Sequence, residues 1–214
     1  SSGSTEPDSR IDTRPFPVPR RTPCAARLAA GRVTWWCQSQ VHETAHFFWA
    51  RVVDVPVFNL GVRRSGAGHI NAFAYDARDL IILMAGIAME LHMFPDGSSE
   101  NSMLGDARDL EGWVRTLQIP EDRAAALLAS IGIEIQSALL RDEVFALIEE
   151  TAARIIKHSR KNDGRLTVKK TDDLCVWLDG ELKRRGLCGE LSRVADHVAS
   201  SHIDRLTAFR TTAN

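Results

Sequence analysis

Several features that would assign the chain to a common class of protein are absent from its sequence. Its four cysteines form no Cys-x-x-Cys pair, so the sequence does not indicate a structural zinc knuckle. Their wide scatter along the chain is typical of free thiols in a reducing compartment. They are Cys24, Cys37, Cys175 and Cys188.

The chain also has no excess charge of either sign and no long apolar run. Its 27 basic and 28 acidic residues give a formal net charge of -1, which does not indicate a nucleic-acid partner. The longest apolar run, residues 80–88, is too short to cross a bilayer, and no secretory signal peptide is recognisable. We therefore expect a protein without a membrane span, located in the cytoplasm.

The most informative motif is a run of five residues that is typical of a zinc site with its own base. Two histidines four residues apart lie on the same face of a helix, so both imidazoles can bind one metal ion. A glutamate beside the first histidine can take a proton from a metal-bound water. The run is His42, Glu43, Thr44, Ala45 and His46.

A histidine pair of this kind can also occur by chance on a helix surface. Here the flanking residues 33–36 and 47–50 are strongly apolar, which predicts a buried helix. Two buried histidines and a glutamate are costly unless something satisfies them, and a metal ion does so. We therefore expect one Zn²⁺ per chain, with Glu43 as the catalytic base.

The apolar spacing predicts a mainly helical protein with a small β-ribbon beside the helix that carries the motif. Residues 1–23 are rich in proline and predict a flexible segment, and residues 187–214 predict a helical extension of a domain formed by residues 24–186. The predicted strands are 53–62 and 69–75, joined by a turn at 65–68. The predicted helices are 25–52, 79–94, 101–117, 121–139, 141–159, 171–185 and one from about 190.

A catalytic zinc needs a third protein ligand, and the residues after His46 do not supply one at a familiar spacing. The stretch 102–114 is the better source. Glu90 is a competitor, either as a ligand itself or as the acceptor that orients a ligand histidine.

Four segments of the chain are similar, in the same order, to segments of one known family. They are residues 42–46, 83–91, 104–110 and 141–144. The family segments are His-Glu-Ala-Gly-His, Gly-Gly-Arg-x-Ala-Glu-Glu, Thr-Gly-Ala-x-Asn-Asp-Leu and Asp-x-Glu-Val. Through them, residues 35–185 resemble the peptidase domain of the FtsH-type AAA zinc metalloproteases.

The resemblance implies that Asp109, which matches the aspartate of the third segment, completes the zinc site. Without the resemblance, the favoured interpretation of Asp109 is an acid near a helix N-terminus, where the helix dipole stabilises it. The chain departs from the family at Thr44 and Ala45, which replace Ala-Gly, and at Ile87, which replaces an arginine. It also contains no phosphate-binding Gly-x-x-x-x-Gly-Lys-Ser/Thr sequence, so we expect no ATPase motor in it.

Together these features predict a zinc-dependent endopeptidase that acts without its own motor on unfolded or docked polypeptide segments. A peptide would bind in an extended form along the second strand of the ribbon. The candidate residues there are Gly68, His69, Ile70, Asn71 and Ala72. Two alternatives stay open: a non-catalytic interaction or scaffold module of the same fold, and a regulatory protease that cleaves one partner such as a repressor. An oligomer is compatible with the sequence but is not predicted by it.

Overall fold

The computed structural model describes residues 38–62, 68–74, 76–94, 100–116, 119–159 and 164–204. These ranges are mainly helical with one two-stranded antiparallel sheet, which confirms the predicted helical domain with a small ribbon. The predicted segment 1–23 and the first part of the predicted helix 25–52 lie outside the described residues. The elements are α1 (Gln38–Val52), β1 (Val57–Val62), β2 (Gly68–Ala72), α2 (Ala77–Met93), α3 (Glu100–Thr116), α4 (Glu121–Leu139), α5 (Asp142–Ser159), α6 (Val168–Arg184) and α7 (Cys188–Val198), followed by a π-helical turn (Ala199–Asp204).

Helix α1 is the centre of the fold. Every residue from 41 to 50 is buried, because α1 packs most extensively against α2 and is also contacted by both strands and by α5 and α6. A helix buried on all sides is expected to be apolar all round. Among its buried residues 41–50, helix α1 departs from this at four polar positions, all of which lie within the five-residue motif.

Helix α2 lies between α1 and α4, so it too is buried on more than one face. Its start is fixed by Asp76, whose side chain accepts a hydrogen bond from the backbone N–H of Arg78. This is the N-cap arrangement that satisfies a free amide of the first turn. Most residues of α2 from Leu80 to Glu90 are buried, and Glu90 is the ionisable one among them.

The sheet is shorter than the predicted strands because the chain leaves α1 through a tight turn. Residues 53–56, predicted as strand, form this turn, in which Asp54 adopts a left-handed conformation with φ of 54°. Strand β2 runs antiparallel to β1, with Gly68 opposite Val62 and Ile70 opposite Leu60. Of the predicted turn at residues 65–68, residues 65–67 lie outside the described residues and Gly68 begins β2. Of the predicted second strand, residues 73–74 lie beyond the end of β2, and Tyr75 lies outside the described residues.

Helices α4 and α5 are separated by two residues and bent by 84° relative to each other. None of the described helices alone is long and apolar enough to span a membrane, whereas this bent pair passes the same test of length and composition when taken together.

The C-terminal helices belong to the same hydrophobic core as the rest of the described chain. Helix α6 is followed by Gly186, whose positive φ of 71° is the conformation that ends many helices, as the sequence predicts. Beyond it, Leu191, Ala195 and Val198 on α7 are buried in the common core. The core therefore continues past residue 186, where the sequence predicts an appended extension.

Candidate metal centre

The two motif histidines lie one turn apart on α1 and face the same point. His42 and His46 are 2% and 3% exposed, and their Nε2 atoms are 2.9 Å apart. The ring centroids are 4.4 Å apart, with one ring nearly perpendicular to the other. The pair therefore offers two converging nitrogen atoms inside the core.

A carboxylate on α3 completes the group. Asp106 Oδ2 lies 2.9 Å from His42 Nε2 and 3.0 Å from His46 Nε2. The Asp106 side chain is only 16% exposed, and the three ligand-type atoms form one close triangle. Asp109, the ligand that the resemblance implies, is exposed and is not part of this group. We therefore correct the candidate third ligand from Asp109 to Asp106.

The other ring nitrogen of each histidine lies against an oxygen atom of helix α2. His46 Nδ1 lies 2.6 Å from the carbonyl oxygen of Ile82, which can only accept, so Nδ1 carries the hydrogen. His42 Nδ1 lies 2.9 Å from Oε2 of Glu90, a fully buried residue. A carboxylate oxygen that faces an imidazole nitrogen favours the tautomer with the hydrogen on that nitrogen, which in His42 is Nδ1.

These contacts determine which atoms face the centre. In a neutral imidazole with the hydrogen on Nδ1, Nε2 carries a lone pair. Two such nitrogens and one carboxylate oxygen then converge with no hydrogen between them, and this arrangement is repulsive unless a cation lies there. Ligand atoms about 2.0–2.1 Å from a tetrahedral zinc are separated by about 3.3 Å, so the observed triangle is slightly tighter than a zinc site but of the right size. The donor set therefore fits Zn²⁺.

The electrostatics of the group point the same way. Burial by itself lowers the pKa of His42, but the contacts with Asp106 and Glu90 outweigh it and raise the pKa to about 10. Burial works against ionisation of Asp106, yet its contacts with His42 and His46 hold its pKa below the usual range. Without a metal ion, His42 holds a proton strongly because the neighbouring carboxyl groups favour a positive charge at that position. A divalent metal ion would supply positive charge in place of that proton.

Glu43 is buried next to this group, as expected for the base of the motif. It is 8% exposed, and its Oε2 atom has no hydrogen-bond partner among the described residues. Burial raises the pKa of Glu43, although the neighbouring histidines partly oppose this. A buried carboxylate oxygen without a partner needs a proton donor, and a metal-bound water is one.

Glycine at position 86 makes room for the second histidine. A Cβ atom at Gly86 would lie 2.3 Å from both Cε1 and Nε2 of His46, closer than real contacts allow. The carbonyl that orients the same ring, from Ile82, lies one turn earlier on α2. Helix α2 thus both accommodates His46 and determines which of its nitrogens faces His42 and Asp106.

The remaining predicted residues lie on β2. Gly68 contacts the Glu43 side chain, which places the start of β2 beside the base. Ile70 and Ala72 are packed against the core, whereas Asn71 is exposed. The His69 ring lies against Gly61, and its Nε2 is 3.2 Å from Oδ1 of Asn59 on β1.

A second cluster of histidines lies at the other end of the chain. In an ordinary α-helix, residues five apart diverge, but the π-helical turn after α7 brings the rings of His197 and His202 to 6.4 Å. Both face Glu134 on α4, at 3.7 Å and 2.7 Å respectively. This cluster is partly exposed, and its histidines are not within reach of one common ligand position, unlike the group on α1.

Sequence reasoning missed Asp106 although it selected the correct helix. Residues 106 and 109 are both aspartates on that helix, one turn apart, and local spacing alone does not distinguish them. Comparison with known proteins adds no relative: no protein-family model matches the chain, nor does any curated protein or solved structure. Its function has to be inferred from the site itself.

Proposed function

We propose that the protein is a zinc-dependent endopeptidase. The observation that carries the proposal is the convergence of His42 Nε2, His46 Nε2 and Asp106 Oδ2 within 3.0 Å of one another, beside a buried glutamate. Three protein donors from the described residues leave one position of a tetrahedral zinc for water or substrate. This arrangement is typical of catalytic rather than structural zinc sites.

The roles of the residues follow from their positions. His42, His46 and Asp106 would hold the ion, which when bound polarises a peptide carbonyl and acidifies a water molecule. Glu43 would accept the proton of that water at Oε2, which has no hydrogen-bond partner among the described residues, and pass it to the leaving amine. Burial raises the pKa of Glu43, which makes it a stronger base than an ordinary carboxylate and suits the removal of a proton from the water.

We propose that the substrate is an extended polypeptide segment lying along β2. Strand β2 pairs with β1 on one side, and no other described strand occupies its second edge. An open edge offers backbone groups for pairing with a peptide, and β2 begins beside Glu43. The proposed substrates are segments that are already unfolded or docked.

The relationship to FtsH-type peptidase domains is part of this proposal. The histidine–glutamate motif and the helical setting support it. The ligand that the resemblance assigns, Asp109, does not, because Asp106 occupies the centre. The chemistry proposed here depends on the centre and not on the family.

The low exposure of the centre favours one alternative, a non-catalytic module in which the metal only stabilises the fold. The side chains of the three candidate ligands are 3%, 4% and 16% exposed. Such a module would bind zinc and would not cleave peptides, so the two functions differ in a measurable way.

The test compares zinc-loaded wild type with Glu43→Gln on a library of unstructured peptides. We expect wild type to cleave them and Glu43→Gln to bind the same amount of zinc while losing about 10²- to 10⁴-fold in kcat. Glu111→Gln is the matched control, since Glu111 lies on the surface, where it pairs with Arg115. Zinc binding without cleavage by wild type would favour the non-catalytic module, and full activity of Glu43→Gln would refute the mechanism.

A further inference from the structure

Strand β2 begins with a glycine that lies against the side chain of Glu43. A Cβ atom at Gly68 would be 2.2 Å from Cγ of Glu43, 2.8 Å from its Oε1 and 2.9 Å from its Cδ. Real Cβ atoms do not approach other heavy atoms this closely. Any other residue at position 68 therefore requires either the strand or the Glu43 side chain to move.

The need for glycine at this position is steric and not conformational. Within the described part of the chain, the glycines with positive φ are Gly164 and Gly186, so Gly68 has a backbone that other residues can adopt. Glycine within a strand weakens it and often marks a close approach of another group. At Gly68 that group is Glu43.

The contact is specific to one face of the strand. Side chains alternate along β2, so position 68 faces α1 while His69 faces the opposite side, where its ring contacts Gly61. The strand backbone at Gly68 consequently forms a wall against the Glu43 carboxylate. The groups that act electrostatically on the Glu43 carboxylate are those of the metal centre: His46, His42, Asp106 and Glu90.

We propose that Gly68 is a positioning residue that holds the general base against the metal centre. This inference rests on the proposed function, and it adds that the strand that binds the peptide also positions the base. Because Oε1 of Glu43 lies against the strand, the contact leaves Oε2, which has no hydrogen-bond partner among the described residues, as the oxygen that takes the proton. A displacement of about 1 Å at such a group can cost about 100-fold in rate.

The experiment uses Gly68→Ala in the full chain, with Gly112→Ala as the matched control because a Cβ atom at Gly112 on α3 meets no atom within 4 Å. We expect Gly68→Ala to keep one zinc per chain and to lose about 100-fold in kcat, with a much smaller change in KM. Gly112→Ala should have the same kcat and KM as wild type. A loss confined to KM, or a kcat equal to that of wild type, would overturn the inference.

A second measurement is independent of activity. The fall in Tm caused by Gly68→Ala is measured in wild type and in a Glu43→Ala background, where the obstructing Cγ atom is gone. We expect a large fall in the first and a small fall in the second, because the two residues are coupled through direct contact. An equal fall in Tm in both backgrounds would show that Gly68 and Glu43 are not coupled through contact. If zinc-loaded wild type is inactive, the proposed function is refuted together with this inference. If wild type is active and Gly68→Ala is equally active, only the inference about Gly68 is refuted.

Discussion

Asp106 and Asp109 lie one helical turn apart on α3, yet only Asp106 directs its carboxylate to the two histidines of α1. Its Oδ2 is within 3.0 Å of both Nε2 atoms, whereas Asp109 is exposed. The rotation of α3 about its own axis relative to α1 therefore determines which aspartate reaches the two histidines.

The first prediction follows from this difference. Asp106→Asn removes the carboxylate charge that faces both histidine nitrogens. We expect zinc affinity to fall by more than about 100-fold, which exceeds the usual effect of changing a residue that only contacts a metal ligand. Asp109→Asn is the matched control and should bind zinc as wild type does. Titration with a chromogenic zinc competitor measures both affinities. The opposite ranking would restore Asp109 as the ligand.

The second prediction concerns Glu90. If Glu90 orients His42 through Nδ1, Glu90→Gln should weaken zinc binding by about 10- to 100-fold, which is less than the loss caused by Asp106→Asn. Glu150→Gln, at an exposed position paired with Arg185, should have no effect. The same competitor titration separates the two roles left open by the sequence. A loss as large as that of Asp106→Asn would indicate that Glu90 binds the metal directly.

The third prediction concerns the space beside His46. Gly86→Ala places a Cβ atom 2.3 Å from the ring, so the imidazole has to move and zinc binding should be lost. Gly180→Ala on α6 is the control, because a Cβ atom there meets no atom within 4 Å. Since alanine favours a helix over glycine, the control should raise stability by about 0.5–1 kcal/mol. Chemical unfolding and zinc content measure the two effects, and normal zinc binding by Gly86→Ala would contradict the packing.

The fourth prediction concerns pH. In the metal-free protein the pKa of His42 is about 10, above its ordinary value of 6.5. Between pH 6.5 and about pH 10, the folded state therefore keeps a proton on His42 that the unfolded state has lost. The free energy of unfolding should consequently fall by about 1.4 kcal/mol per pH unit as the pH rises through this window. The stabilisation is fully present below pH 6.5 and is lost as the pH rises through 10. Urea unfolding at several pH values measures the slope.

The same proton competes with the metal. Zinc has to displace it from His42, so zinc affinity should rise about tenfold per pH unit across the same window, with release of one proton. Calorimetry in buffers of different ionisation enthalpy counts the released protons. Saturation with zinc should remove the fall in stability at alkaline pH. A zinc affinity independent of pH would show that His42 is not protonated in the metal-free site.

The local elements were predictable because their signals are local. Helices α2, α4 and α5 begin and end within about two residues of their predicted bounds, because apolar spacing and terminal residues determine them. The first strand was predicted four residues too long, since β-branched residues at 53–56 favour a strand while the exit from α1 requires a turn. Tertiary packing overrides propensity at such a junction.

By itself, the sequence determined that two histidines and a glutamate share one buried helix, because a spacing of four residues places groups on the same face in any α-helix. It also determined that zinc-type donors would lie in an apolar core. Only the tertiary structure decided that Asp106 completes the group, that Glu90 and the Ile82 carbonyl lie against the outer nitrogens of the two rings, and that Gly68 and Gly86 contact Glu43 and His46. These relationships depend on the rotation and approach of separate elements in space, which the spacing of residues along one element does not encode.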